Sequence, residues 1–220
     1  MRMRKKKWAE PYLEVHPKLV LADPSVYKGK WKELLQCDVL HVEIGMGKGG
    51  YIAAMSQQYP EEGWIGIERD RSAAAVAARH IIDQGISQQH LRLIAIEAED
   101  MEEWFAPQEI DIIHLNFSDP WPKKKTHKRR LSSEKFLGIY RRVLNENGEV
   151  RMKTDNKDLF EDSVVCFSND GWIFDTFSVD YRRIEHPEDA ITEYEAKFME
   201  AGQPIYRFTA VKERRAKIKE

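Results

Sequence analysis

Cysteine is scarce in this sequence. Cys37 and Cys166 are the only two in 220 residues, and they lie far apart with no C-x-x-C pairing. That argues against a disulfide framework or a cysteine-built zinc site and fits a reducing compartment. No apolar run approaches the ~20 residues that a membrane span needs. The basic N-terminus is not followed by the apolar core of a signal peptide. A cytoplasmic protein with no membrane partner is therefore expected. The seven histidines show no ligand spacing such as H-x-x-x-H, so no metal site is expected. His41 and His114 fall inside apolar runs and read as structural residues. Net charge is nearly missing too, at -2, whereas a purely electrostatic nucleic-acid binder would be strongly basic.

What charge there is, however, is unevenly placed. Three segments, 2–7 (RMRKKK), 123–130 (KKKTHKRR) and 212–220 (KERRAKIKE), hold 16 of the 35 Lys and Arg residues. Acid gathers elsewhere, as in EAEDMEE at 97–103. Such asymmetry can give a nearly neutral protein a basic face. The composition, 42% hydrophobic and 33% charged, is that of a globular chain, and the length suits one domain over 1–220. Residues 1–25, basic and carrying Pro11, Pro17 and Pro24, read as an irregular N-terminal arm.

From residue 39 onward, strand-like and helix-like patterns alternate. Strands are expected at 39–44, 64–68, 91–96, 110–117, 148–154, 172–179 and 204–211. Helices are expected from 49 to 59, at 71–85 (closed by Gly85), at 132–148 (closed by Gly148) and at 157–171. This predicts an α/β fold: a doubly wound, mostly parallel seven-stranded sheet with an antiparallel edge strand and helices on both faces. Segment 180–203 carries a short helix and is long enough for function.

The first strand runs into Glu43-Ile44-Gly45-Met46-Gly47-Lys48-Gly49-Gly50. Glycine here permits a sharp turn and close approach of a ligand to the backbone. Gly45, Gly47 and Gly50 satisfy the dinucleotide pattern G-x-G-x-x-G, while Gly45, Gly47 and Gly49 satisfy the G-x-G-x-G of class I methyltransferases. Glu68, ending the second strand, suits ribose hydroxyls under either reading. Glu43 favours the methyl donor, because a carboxylate there suits a cation with a sulfonium and an ammonium better than a pyrophosphate. Glu97, after the third strand, can accept from an adenine amino group.

The fourth strand ends in Asn116-Phe117-Ser118-Asp119-Pro120-Trp121-Pro122-Lys123, beside the glycine turn in a doubly wound sheet. Two prolines restrict the loop. A flat aromatic can stack on a base, a carboxylate can read the N–H donors of guanine, and the cations that follow can hold phosphates. The alternative for the Lys run is a solvated charged segment.

The string SDPWPKKKTHKRR, with EIGMGKG, WIGIE, LNFSDPWPKK, RMKTDN and TEYEAKF in order, closely resembles bacterial tRNA (guanine-N(7)-)-methyltransferases. The resemblance covers most of the chain. It implies a class I S-adenosylmethionine-dependent fold, acting on a variable-loop guanosine of tRNA and releasing S-adenosylhomocysteine. It further implies cofactor contacts from Glu43, Gly45, Gly47, Glu68, Glu97, Asn116 and Asp119, with Asp119 catalytic. Lys123, Asp155 and the stretch Thr192, Glu193, Tyr194 and Glu195 would contact substrate. Lys125, Thr126, His127, Lys128, Arg129 and Arg130 would meet RNA. The family commonly carries Asp where this chain has Glu97.

Guanine N(7) has a free lone pair, so the reaction needs alignment more than a strong base. The alkylated base is cationic, and Asp119 fits as the carboxylate that stabilises that charge. No metal is needed. Structural roles compete at two places. Thr192 and Glu195 have capping-box spacing, and Asp155 or Asn156 can cap the next helix. Two other functions remain open: a nicotinamide-dependent oxidoreductase, and an RNA-binding protein with a degenerate cofactor site. The sequence is compatible with a monomer or a homodimer.

Overall fold

The computed structural model describes residues 5–212. Eight strands form one sheet: β1 (Val20–Leu21), β2 (Leu40–Ile44), β3 (Gly63–Ile67), β4 (Leu91–Ile94), β5 (Ile110–Asn116), β6 (Leu144–Thr154), β7 (Trp172–Ser178) and β8 (Tyr206–Lys212). The helices are α1 (Ala9–Glu14), α2 (Trp31–Leu35), α3 (Gly50–Gln58), α4 (Arg71–Asp83), α5 (Met101–Trp104), α6 (Glu134–Val143), α7 (Lys157–Asn169) and α8 (Glu193–Glu200). The strand order is β1-β4-β3-β2-β5-β6-β8-β7. All pairings are parallel except those of β8, which runs antiparallel to both β6 and β7.

Strand alternation divides the core into two layers. Val42, Ile44, Ile65, Ile67 and Ile113 pack with α2, α5, α6 and α7 on one face. Trp64, Leu91 and Leu93 pack with α1, α3 and α4 on the other. The inner strands are buried on both sides, which is why they read as nearly continuous apolar runs. Winding from β2 goes outward to β3 and β4, then returns to β5 on the opposite side of β2. The crevice between the carboxyl ends of β2 and β5 is therefore the topological switch point, where ligands of such sheets bind.

Three expectations need correction. The sheet has eight strands, not seven, because β1 adds beside β4 with Val20 opposite Leu93. This strand belongs to the segment expected to be an irregular arm. Residues 9–21 instead fold onto the body, with Ala9, Leu13, Leu19 and Val20 buried and α1 packed on α4. Pro11 does not prevent this, since a proline in the first helical turn removes an N–H that has no intrahelical partner. Positions 2–4 and 213–220 of the basic segments lie outside the described residues.

The helix expected over 132–148 ends at Val143, because Leu144 takes extended geometry (ψ 141°) and opposes Ile110 in the sheet. Gly148 serves that strand rather than a helix cap. A β-carbon on it would come within 3.1 Å of the Asp111 carbonyl oxygen, at the bulge between Ile110 and Ile112.

Candidate active site

The glycine turn leaves β2 and enters α3. Gly47 has φ 57° and open space where a β-carbon would stand. It can therefore bend the backbone in the left-handed region and leave it exposed to a ligand. Gly49, also left-handed at φ 77°, brings α3 so close to α4 that a β-carbon would meet Ala77 at 2.8 Å.

Glu43 lies under this turn with 2% of its surface exposed. Asn116, on neighbouring β5, donates to its Oε1 at 3.0 Å. Its Oε2 has no hydrogen-bond partner among the described residues. Burial pushes the carboxyl up to about 7, against the opposing pull of Asn116 and the Lys153 ammonium. Glu68 follows β3. It accepts from the Gly47 N–H at 3.0 Å and the Asp70 N–H at 2.8 Å, so it braces the glycine turn. Burial raises its pKa as well. A carboxylate has about four lone-pair sites, so two backbone donors leave capacity for hydroxyls.

Asp119 and Glu97 sit at the mouth, both exposed, joined by a residue that the sequence did not single out. Arg69 lies 3.3 Å from Glu97 and 3.1 Å from Asp119. Its guanidinium also stands 5.3 Å from the Trp121 ring centre, while that of Arg129 stands 5.1 Å from the same ring. The loop backbone is strained, with non-glycine Phe117 and Trp121 at φ 50° and 41°. Phe117 is held by its N–H, which donates to the Lys153 carbonyl at 2.8 Å, and by stacking on Phe198 of α8. The only adjacent signal for Arg69 was that it follows Glu68.

The basic loop is a short 3-10 turn over Lys124–Arg129, preceded by Lys123. Lys123, Lys124, Lys125, Lys128 and Arg129 are exposed, and Thr126 and His127 are half-buried. The Thr126 hydroxyl closes the turn by donating to the Lys123 carbonyl at 2.6 Å. Arg130 departs from its expected role as a residue that meets RNA. It is 5% exposed, donates to the Pro120 carbonyl at 2.7 Å and pairs with Asp162 at 2.5 Å. It ties the Asp119 loop to α7.

Asp155, after β6, is half-buried, and burial raises its pKa. The capping role falls to Asn156, which accepts from the Leu159 N–H at 2.8 Å. Thr192 and Glu195 form the capping box of α8, with bonds of 2.9 and 3.1 Å. Glu195 is fully buried and Thr192 nearly so, so a direct substrate contact by Glu195 conflicts with its position. Tyr194 is exposed. The Glu193 side chain lies outside what is described.

Sequence reasoning also missed what surrounds Glu195: buried Lys153, Asp189 and Arg182. Nothing in the pattern V-R-M-K-T marks Lys153 as buried. His41 and His114 are buried, with His41 stacked on both Trp64 and His114. Among the described residues no group of three His, Cys, Asp or Glu could hold a metal ion. Among them, too, no helix is long and apolar enough to cross a membrane.

Comparison with known proteins agrees with this geometry. A family model described as "Putative methyltransferase" matches residues 37–208. The chain is 44% identical over 215 residues to a protein of Oceanobacillus iheyensis named tRNA (guanine-N(7)-)-methyltransferase, covering 97% of this chain and 100% of that one. A protein of the same name from Limosilactobacillus reuteri is 42% identical over 212 residues, covering 96% and 99%. The chain belongs to this family. It is an enzyme of the methyltransferase class. A solved antibiotic-related methyltransferase shares the fold, with TM-score 0.60 at 16% identity over 83% of this chain and 92% of that one.

The residues present fit the cofactor that the fold implies, S-adenosylmethionine. The decisive feature is the buried Glu43 carboxyl, one oxygen of which has no hydrogen-bond partner among the described residues. A cationic amino-acid moiety would satisfy it, whereas the pyrophosphate of a dinucleotide would meet it as a like charge. Family membership and this charge together set aside the nicotinamide reading. The family match and the named relatives set aside a non-enzymatic RNA-binding protein.

Proposed function

We propose that the protein transfers a methyl group from S-adenosylmethionine to N(7) of a guanosine in the variable loop of tRNA. S-adenosylmethionine, when bound, supplies an electrophilic methyl group on its sulfonium and leaves as S-adenosylhomocysteine. Glu43 holds the ammonium end, Glu68 the ribose hydroxyls, and Gly45 and Gly47 leave the backbone open for close approach. Glu97 accepts from the adenine amino group, and Asn116 fixes the Glu43 carboxylate.

Asp119 positions the guanine edge and stabilises the positive charge that develops on the base. This is preorganised electrostatics rather than proton abstraction. Trp121 offers a flat face at the same mouth. Lys123, Lys125, Thr126, His127, Lys128 and Arg129 hold the RNA backbone. Asp155 and the stretch Thr192, Glu193 and Tyr194 contact the substrate, and Arg130 and Glu195 support the loops that do so.

The observation that carries this reading is that the neighbouring strands β2 and β5 lead at their carboxyl ends to a buried carboxylate, one oxygen of which is unpartnered among the described residues, and to the Asp119–Trp121 loop with its cationic turn. The test is to incubate the purified protein with S-adenosylmethionine and an unmodified tRNA transcript, then analyse nucleosides by mass spectrometry. The expected product is 7-methylguanosine, and borohydride–aniline cleavage should map it to the variable loop. A different methylated nucleoside, or none, would overturn the reading.

A further inference from the structure

Beneath the candidate site lies a set of charges that the proposed reaction does not use. Lys153 is on β6 and 2% exposed. Its ammonium donates to Asp189 at 2.6 Å, to Glu195 at 3.1 Å and to the Ala190 carbonyl at 3.3 Å. Those three acceptors match the three donors of an ammonium, so it has none left for a ligand. Arg182 completes the set by pairing with Asp189 at 2.7 Å and Glu195 at 2.5 Å. The Tyr51 hydroxyl donates to the other Asp189 oxygen at 2.9 Å, and the Lys153 ammonium stands 4.8 Å from the Tyr51 ring centre. Burial alone would push the Asp189 carboxyl up, but Lys153 and Arg182 hold it below the usual carboxylate range.

Every arm of Lys153 reaches a different part of the site. Its ammonium fixes loop 186–192 and the capped start of α8, which present Thr192 and Tyr194. Its carbonyl accepts from Phe117 at 2.8 Å, at the entry to the Asp119 loop. It stands opposite Asn116 in the β5–β6 register, and Asn116 in turn holds Glu43. We propose that Lys153 is a positioning residue that couples the cofactor pocket to the substrate-facing loop 186–195. Apolar side chains of similar volume would tie strand to loop at least as stably, because a buried ion pair is costly to desolvate. What they would not supply is a fixed positive charge beside Glu43. The other groups acting on Glu43 are Asn116 from β5, Glu68 after β3, and Tyr51 with the Ile52 N–H from α3. Among these, Lys153 brings the positive charge that favours the ionised carboxylate.

The substrate half of this proposal rests on the function proposed above, but the cofactor half does not. The test uses Lys153→Met, Lys153→Arg and Asp189→Asn in the full chain, with folding checked by circular dichroism and thermal melting. S-adenosylhomocysteine binding is titrated without RNA between pH 6 and 8.5, and tRNA KM is measured separately. Lys153→Met should weaken binding at pH 6 by about 10-fold, the equivalent of one pKa unit, with the gap closing toward pH 8.5. It should also raise tRNA KM. Asp189→Asn should raise tRNA KM while leaving the pH midpoint for cofactor unraised, because Lys153 keeps its charge. Lys153→Arg should restore the midpoint.

A wild-type midpoint and KM in Lys153→Met would overturn the proposal. So would an upward midpoint shift in Asp189→Asn, which would indicate general loosening. Should Lys153→Met not fold, the other two variants decide, since a raised midpoint in either contradicts the coupling. A wild-type enzyme that binds S-adenosylhomocysteine yet makes no 7-methylguanosine would defeat the proposed function and leave the cofactor half standing.

Discussion

Single carboxylates at this site differ by environment more than by identity. Glu43 is buried and held up to about 7, while Asp119 stands in solvent against Arg69. The proposed role of Glu43 in holding the cofactor's ammonium requires the ionised form. Affinity for S-adenosylmethionine is therefore expected to rise as pH climbs through about 7, with uptake of the ligand releasing protons. Calorimetry in buffers of different ionisation enthalpy would measure this, and Glu43→Gln should bind weakly at all pH values. A flat affinity profile in the wild type would contradict the assignment. For Asp119→Ala, a loss of about 100-fold or more in kcat is expected, the size seen when a preorganised electrostatic group is removed. Cofactor Kd should change little. A matching fall in cofactor binding would instead make Asp119 a binding residue. The spacing of Glu43, Gly45, Gly47, Glu68 and Asp119 was legible because each ends a strand or opens a turn. Arg69 was not, since its role depends on two loops meeting over it.

At the scale of elements, the basic loop splits into two kinds of cation. Lys123, Lys125 and Lys128 are exposed, whereas Arg130 is buried under Pro120 and beside Asp162. Replacing the three lysines with alanine should weaken tRNA binding and flatten its salt dependence, by up to about 0.7–0.9 in log–log slope for each phosphate no longer neutralised. Stability should not fall. Arg130→Ala should do the reverse, lowering the thermal midpoint because it removes buried contacts and frees the Asp119 loop from α7. Equal salt slopes in the lysine variant and wild type would remove this loop from the RNA interface. The sequence shows a run of like residues, and only the packing of α7 against the loop separates them. The same holds for α6, whose helical pattern continues through Leu144 in the sequence although pairing with Ile110 pulls that residue into the sheet. It holds again for residues 9–21, where Pro11, Pro17 and the basic run that precedes them hide the buried apolar face.

Across the whole molecule, buried titratable groups make stability pH-dependent in two opposing directions. Burial lowers the pKa of His41 and pushes that of His114 well below the usual value. Unfolding exposes both to titrate near about 6.5. Their contribution is thus full above about pH 6.5 and is lost as pH falls below it. Glu43 has the opposite sign, because a carboxyl raised in the folded state loses stability as pH climbs from the unfolded value toward about 7. In Glu43→Gln only the histidine contribution remains of the two. Urea denaturation of that variant should show constant stability above about pH 6.5 and a decline below it. Glu68 and Asp155, also raised by burial, share the sign of Glu43 and soften that decline. An equal decline in a variant that also carries His41→Gln and His114→Gln would remove the two histidines as its cause.

From residue 39 onward the sequence by itself determined the order of the main strands and helices, the glycine turn at the end of β2 and the carboxylates at the strand ends. These follow from local periodicity and from backbone conformations open mainly to glycine, both readable along the chain. Tertiary structure alone decided which charges are free to act. Among the described residues one Glu43 oxygen lacks a hydrogen-bond partner, Glu195 and Arg130 are consumed internally, and Lys153 lies beneath the site. The physical reason is that desolvation and pairing are set by neighbours distant in sequence. Asp189 and Lys153 stand 36 positions apart, yet their side chains are 2.6 Å apart.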